Sequence, residues 1–116
     1  MKKILLASAA MITMAGTAQA DITLGVSLGF TGPLESLAPP MAAGAEMAMA
    51  EVTASGKLLG GMSVSAVRGD STCIDAAAAV AVAERLITSD GVSGIMGAMC
   101  SGATTAMLTN VAVPNG

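Results

Sequence analysis

Three short apolar runs, rich in β-branched residues, recur along the chain, and an alanine-rich segment follows each of them. The runs cover residues 22–30 (ITLGVSLGF), 62–69 (MSVSAVRG) and 92–99 (VSGIMGAM). Strands that alternate with helices in this way form parallel sheets with right-handed crossovers, and the helices cover the sheet. The sequence therefore predicts an α/β fold with a doubly wound parallel sheet, and we expect the strand order 2-1-3.

The predicted helices carry start and stop residues. In the first helix, Pro39-Pro40 suit the first turn, and Gly56 stands just past the end, where a left-handed residue is common. The second helix opens with Thr72 three residues before Asp75, a weak form of the capping box, and closes before Gly91. We expect a fourth strand to follow the final residues, VAVPNG, and the chain to be part of a longer protein.

The first twenty residues have the pattern of a secretory signal. Two lysines precede an apolar stretch of about a dozen residues, and Ala18-Gln19-Ala20 supplies the small residues that a signal peptidase reads. The stretch is shorter than the roughly 20 apolar residues that a membrane-spanning helix needs. We predict a signal peptide over residues 1–20, cleaved before Asp21, and an exported protein that carries no lipid anchor.

The composition excludes several kinds of chemistry. The chain has no histidine, so it cannot form a Ser-His-Asp or Cys-His nucleophile or a histidine-based metal site. After cleavage, three bases oppose eight acids, a formal charge of −5 that disfavours contact with nucleic acid. The carboxylates form no tight pair, and no complete phosphate-binding glycine motif is present. We therefore expect no enzyme activity, no cofactor and no metal ion.

Two other patterns have ordinary interpretations. Arg68-Gly69-Asp70 matches a cell-adhesion tripeptide, but its position indicates the polar end of the second strand as it enters a loop. The ten methionines could suggest copper binding through thioethers. They are spread through the predicted helices and strands, which favours flexible core filling.

The two cysteines, Cys73 and Cys100, follow predicted strands. Cys73 is expected to begin the second helix and Cys100 to end the third strand, so both lie at the carboxyl edge of the sheet. Two cysteines in an exported protein are normally joined, although two free buried thiols remain an alternative. With the first strand between them, the loop that carries Cys73 must lean across that strand to form the bond.

Ser101 stands at or near the cap of a third helix, predicted from Ser101 to about Ala112. Open α/β sheets bind ligands outside the carboxyl ends of their strands, where helix N-termini present unpaired N–H groups. The Ser101 hydroxyl and the following N–H groups could hold a carboxylate, and the small residues Gly102 and Ala103 would let a ligand approach the backbone. Ser101 as an ordinary helix cap is the alternative.

Four motifs, in order, resemble the N-terminal part of the branched-chain amino acid binding proteins of ABC transporters. They are TGPL (31–34), GAEMAMAEVTASG (44–56), GDSTCIDAAAAVAVAERLI (69–87) and VSGIMGAMCSGATTAM (92–107). The resemblance implies a two-lobed periplasmic receptor that closes on a small solute like a Venus flytrap. Residues 21–116 would form part of its N-terminal lobe.

The resemblance also implies roles for single residues. Cys73 and Cys100 would form the disulfide of the family, and Ser101 would bind the solute carboxylate through its side chain and backbone N–H. Met99 and Cys100 would line the side-chain pocket, together with Leu37 in the loop after the first strand. Members of the family often carry an aromatic residue at the Leu37 position.

The function that this resemblance implies is capture of a branched-chain amino acid, or a similar small carboxylate or amide, for uptake. The partners would be the solute and an inner-membrane ABC permease. The protein would be located in the periplasm and would be a monomer. A ligand-sensing receptor of the same fold, coupled to signalling, is the alternative. A small redox or metal protein is a third hypothesis.

Overall fold

The computed structural model describes residues 21–116, and the predicted signal peptide over residues 1–20 lies outside the described residues. The elements alternate as expected, with a short 3-10 turn at Leu58–Gly60 before the second strand. The strands are β1 (Ile22–Leu28), β2 (Val64–Asp70) and β3 (Gly94–Gly97). The helices are α1 (Ala38–Ser55), α2 (Ala76–Thr88), α3 (Ser101–Met107) and α4 (Val113–Asn115), with a π-helical turn at Leu108–Ala112.

The sheet is parallel and has the order β2-β1-β3, which confirms the predicted fold class and strand order. Its edges differ in length, because β2 pairs with β1 over seven residues and β3 over only four. The predicted extents of β1 and β3 were too long. β3 ends at Gly97, which has a φ of 141° and approaches Ser27 so closely that a Cβ would overlap its carbonyl oxygen.

The helices cover both faces of the sheet. On one face, Val26 and Leu28 pack with residues of α1. On the other, α2 packs against α3 and the π-helical turn. Alanines contribute to both contacts, and the buried ones are Ala38, Ala42, Ala79, Ala83 and Ala103. None of the helices between residues 21 and 116 is both long and apolar enough to cross a membrane.

The ends of α1 follow the prediction, but the start of α2 does not. The prolines lie in the first turn of α1, and Gly56 ends it with a φ of 63°. The prediction that Thr72 opens the second helix is wrong, because the cap is Asp75. The Asp75 side chain accepts hydrogen bonds from Ala77 N at 2.8 Å and Ala78 N at 3.2 Å. Thr72 lies in the preceding loop, where its Oγ1 accepts from Asp75 N.

The third helical segment starts at Ser101, as predicted, and continues past Ala112 to Asn115. Pro114 has no N–H to donate to the carbonyl one turn before it, and its ring crowds that carbonyl, so the preceding turn widens. The asparagine side chains satisfy backbone carbonyls in this region. Asn110 Nδ2 donates to Ala106 O at 2.9 Å, and Asn115 Nδ2 donates to Val111 O at 2.8 Å.

The tripeptide Arg68-Gly69-Asp70 forms the end of β2, in agreement with its interpretation as the polar end of a strand. Arg68 makes a two-pronged ion pair with Glu46 of α1, at 2.6 and 2.8 Å. The hydrogen bond from Arg68 holds the pKa of Glu46 below its ordinary value. Arg68 also lies over the ring of Phe30, 5.5 Å from its centroid. Arg68 thus joins β2 to α1 and to Phe30.

Core filling explains only some of the methionines. Met49 and Met107 are buried, but Met41, Met47 and Met96 are exposed, so the core-filling interpretation is wrong for these three. Within residues 21–116, no group of three or more cysteine, aspartate or glutamate side chains is placed to hold a metal ion.

Candidate functional site

The disulfide between Cys73 and Cys100 joins two loops at the carboxyl edge of the sheet, with 5.3 Å between the Cα atoms. The predicted pairing is confirmed, but the predicted positions within the elements were wrong. Cys73 lies in the loop before α2, since Asp75 caps that helix, and Cys100 is the N-cap residue of α3, since β3 already ends at Gly97. The loop of Cys73 therefore reaches across the end of the central strand, as the strand order requires.

The disulfide passes over the end of β1 at Gly29, the residue directly after that strand. A Cβ at Gly29 would lie 3.2 Å from Cys73 Sγ and 3.6 Å from Met99 Sδ. The N–H of Gly29 donates to Met99 Sδ at 3.3 Å. The ends of all three strands therefore meet around a buried glycine. A larger residue at this position would push the two outer loops away from the central strand.

A second set of contacts joins the loops after β1 and β2. Asp70 Oδ2 accepts from Thr31 Oγ1 at 2.5 Å, and Oδ1 accepts from the N–H groups of Thr31 at 3.2 Å and Thr72 at 2.9 Å. Partial burial acts to raise the pKa of Asp70, but the hydrogen bonds from Thr31 and Thr72 outweigh it and hold the pKa below its ordinary value. The side chain is therefore a carboxylate at neutral pH, and both of its oxygens accept hydrogen bonds from loop donors.

The N-terminus of α3 has no side-chain cap. Cys100 is the N-cap residue and offers no side-chain hydrogen bond to the first turn, whereas the carboxylate of Asp75 caps α2. The first N–H groups of a helix have no partner within it. Ser101 and Gly102 follow directly and are exposed. Of the three helices that begin at this edge, α2 is capped by a carboxylate, whereas α1 and α3 have no side-chain cap. The first turn of α1 contains two prolines, which have no N–H to offer, so α3 has the N-terminus more open to an anion.

Thr104 fixes the turn that leads into α3. Its Oγ1 accepts from Ala98 N at 3.2 Å and lies 3.0 Å from both possible acceptors, the carbonyl oxygens of Ala98 and Cys100. The hydroxyl therefore links the first turn of the helix to the residues that leave β3. This link fixes the direction in which the helix N-terminus points.

Of the five expected site residues, four are consecutive in the chain and lie together, and Leu37 lies apart from them. Met99 and Cys100 are half-buried and directly precede Ser101 and Gly102. Leu37 lies at the same edge, but it precedes α1, on the opposite face of the sheet from α3, with 51% of its surface exposed. The arrangement is an open surface. A solute bound here would need a second wall to exclude water, because small-molecule sites bury most of the ligand surface.

The cavity beside α3 does not belong to this surface. It has a volume of about 130 Å³, and its lining includes Ala83, Ile95, Thr104 and Met107. Those side chains come from α2, β3 and α3 below the carboxyl edge, and none of the five expected ligand-contacting residues takes part. The exposed edge, and not this cavity, remains the candidate site.

Sequence reasoning missed three residues that shape this edge: Gly29, Asp70 and Thr104. Gly29 lies in the stretch GVSLGFTG (25–32), whose glycine spacing does not match a phosphate-binding motif and carries no signal of a contact with the disulfide. Asp70 was interpreted only as the polar end of a strand. A threonine at the fourth position of a helix carries no signal for the backbone contacts that Thr104 makes. The position of Asp70 at a strand end was the one available signal.

The strand order and the exposed carboxyl edge define an open α/β sheet, a fold class in which ligands bind outside the carboxyl ends of the strands. A family model described as "Periplasmic binding protein" matches residues 21–115, and the chain belongs to this family. The match supports the resemblance drawn from the four sequence motifs. By its description, the family is one of binding proteins.

The comparisons with single proteins agree. The chain is similar to the Leu/Ile/Val-binding protein homolog 7 of Brucella melitensis, with 40% identity over 103 residues, 89% of this chain and 25% of that protein. The homologous proteins of Brucella suis and Brucella abortus match equally well. The chain therefore spans about a quarter of the length of the curated relatives that it matches.

Two solved structures with bound ligands share the fold. One is the branched-chain amino acid transporter substrate-binding protein LivJ from Streptococcus pneumoniae in complex with isoleucine. It has 29% identity and a TM-score of 0.71, over 81% of this chain and 26% of that one. The other is an ABC transporter solute-binding protein from R. palustris in complex with benzoate. It has 27% identity and a TM-score of 0.63, over 77% of this chain and 24% of that one.

Proposed function

We propose that this chain is part of the periplasmic solute-binding component of an ABC transporter, which captures a branched-chain amino acid or a similar small carboxylate for uptake. The observation that carries the proposal is the uncapped N-terminus of α3 at the carboxyl edge, directly after Cys100. Two similar structures bind isoleucine and benzoate, and both of these ligands carry a carboxylate next to an apolar group. The site offers groups suited to both parts.

The carboxylate would lie at Ser101. The hydroxyl and the N–H of Ser101, with the N–H of Gly102, can donate to its oxygens, and the positive end of the helix dipole favours the negative charge. Gly102 has open space around the position of a Cβ, so the solute can reach the backbone there. Met99 and Cys100 would contact the apolar part of the solute.

Leu37 would contribute a further apolar contact from the β1 side of the edge. Its side chain is exposed and aliphatic, which suits the branched side chains of leucine, isoleucine or valine. A flat aromatic ring is held better by another ring, because aromatic pairs gain from their stacked or edge-to-face geometry. Leu37 therefore supports an aliphatic solute over an aromatic one such as benzoate.

The location and partners follow from the same proposal. Residues 1–20 would direct export and be removed before Asp21, and residues 21–116 would form part of the N-terminal lobe. The other lobe would supply the second wall of the site, and the next strand together with that lobe would supply the groups that bind the solute ammonium. The loaded monomer would then deliver the solute to an inner-membrane permease.

Calorimetry tests the proposal. The protein should be expressed from its natural gene, with every residue that the gene encodes, and titrated with L-leucine, L-isoleucine, L-valine and benzoate. We expect micromolar or tighter binding of at least one amino acid. If the protein binds none of the four solutes, the proposal is contradicted.

Residues 21–116 alone provide the matched control. This chain should bind none of the four solutes at micromolar concentrations, because the open edge leaves the ligand in contact with water and an ammonium group unpaired. Micromolar binding by the short chain would show that one lobe suffices, contrary to the two-lobed site proposed here.

A further inference from the structure

The first residues after β1 contact the residues at the end of β2 one after another. Gly29 meets Cys73, and Thr31 bonds to Asp70. Gly32 has a φ of 93°, and a Cβ at this position would lie 2.8 Å from the carbonyl oxygen of Thr72. The two loops are therefore in backbone contact beyond the point where their strands end.

Asp70 is the residue that holds this contact by hydrogen bonds. Its carboxylate accepts three of them, two from Thr31 and one from Thr72, so each loop donates at least once to the same side chain. Strand pairing already places Leu28 beside Asp70 and fixes where the loops begin. The three hydrogen bonds extend that order into the loops, where no strand pairing acts.

Each of the two loops leads to a different part of the proposed site. The loop after β1 runs from Thr31 to Leu37, and the loop after β2 leads to Cys73, whose disulfide holds Cys100 next to Ser101. Asp70 therefore connects the parts of the edge that carry Leu37 and Ser101. Since its oxygens already accept three loop donors, we do not assign Asp70 to the solute ammonium.

We propose that Asp70 is a positioning residue for solute binding, which sets the spacing between Leu37 and Ser101 by hydrogen-bonding Thr31 and Thr72. This inference rests on the function proposed above. Thr31 is exposed and takes no part in either core cluster. Loss of its hydroxyl should therefore change the position of the loop, and with it solute affinity, more than it changes the stability of the fold.

Three variants of the protein expressed from its natural gene test the inference, with L-isoleucine, L-leucine and L-valine as probes. Thr31→Val removes the hydroxyl and keeps the shape, Thr31→Ser keeps the hydroxyl, and Asp70→Asn removes the charge. We expect Thr31→Val and Asp70→Asn to bind the amino acid about threefold to tenfold more weakly. Thr31→Ser should bind within about twofold of the parent.

Thr109→Val is the matched control, because the Thr109 hydroxyl donates only within its own helical segment, to Thr105 O at 2.8 Å. It should leave affinity unchanged. Equal affinity in the parent, Thr31→Val and Asp70→Asn would overturn the inference, and so would an equal loss in Thr109→Val.

Failure of the proposed function has a different signature, because the parent itself would then bind none of the probes and the solute-positioning role would fall with it. Amide hydrogen exchange on the same proteins reports the loop directly. We expect faster exchange in residues 31–37 of Asp70→Asn and Thr31→Val, but not of Thr109→Val. Unchanged exchange in these residues would overturn the role of Asp70 in holding the loop.

Discussion

Gly29 and Cys73 are in such close contact that a Cβ on Gly29 would lie 3.2 Å from the cysteine sulfur. Gly29→Ala should therefore destabilise the fold by about 1 kcal/mol, because the disulfide would have to move to admit the methyl group. Chemical denaturation measures this change in the free energy of unfolding.

Gly44→Ala is the control for that substitution. Gly44 lies within α1, and no atom lies within 4 Å of the position that a Cβ would take, so alanine should stabilise this helix by about 0.5–1 kcal/mol. If Gly29→Ala stabilises the protein as Gly44→Ala does, the contact between Gly29 and the disulfide is less tight than the structure shows.

The Cys73–Cys100 bond closes a loop with a sequence separation of 27 residues. Replacing both cysteines with serine should lower the free energy of unfolding by about 3.5 kcal/mol, because the unfolded chain regains the entropy of the open loop. Mass spectrometry of the secreted, unreduced protein should show the bond. Two thiols that react freely with an alkylating reagent in folded protein would contradict the pairing.

Ser101→Ala should separate binding from stability. The variant keeps the backbone N–H but loses the hydroxyl, and a hydrogen bond to a charged group contributes about 1.5–3 kcal/mol, so affinity should fall about tenfold to a hundredfold. Cys100, and not Ser101, is the N-cap residue, so the melting temperature should change little. A lower melting temperature with unchanged affinity would identify Ser101 as a structural residue only.

Asp70 should make stability depend on acid pH. Its pKa is lower in the folded protein than its ordinary value of 3.8, so its contribution is fully present well above pH 4 and is lost as the pH falls through the folded pKa. The stability difference between the parent and Asp70→Asn should be constant near pH 7 and shrink below about pH 4.

Comparison with Asp70→Asn is needed because Glu46, paired with Arg68, also has a lowered pKa and titrates in the same acid range. Both proteins keep this pair, so its effect cancels in the difference. If the difference in unfolding free energy between the parent and Asp70→Asn stays constant down to pH 2, the pKa of Asp70 is not lowered in the folded protein.

Local patterns predicted the elements, because helix and strand periodicity act over a few residues. Gly56 ended α1 as expected, since only a residue tolerant of a positive φ suits that position. The start of α2 was predicted wrongly because Thr72 and Asp75 both resemble caps, and the choice between them depends on the disulfide loop. Thr72 and Cys73 take φ values of 55° and 70°, which exclude them from a helix start.

The site was less predictable than the fold. The position of Ser101 after a strand indicated the α3 N-terminus, and the two cysteines indicated their own pairing. The bond between Thr31 and Asp70 joins residues 39 positions apart, and no local pattern reports such a contact. It forms because β1 and β2 are neighbours in register, which becomes known only when the strand order is known.

The alanines that pack the helices against the sheet or against each other set limits on how this sequence can vary. They are Ala38, Ala42, Ala79, Ala83 and Ala103, each at most 3% exposed. A larger residue at any of them would force two backbones apart, and glycine would weaken the helix, so neither direction of change is tolerated well. In a library of random variants, these five positions should therefore accept fewer substitutions than the exposed methionines, although an alanine contributes little hydrophobic surface of its own.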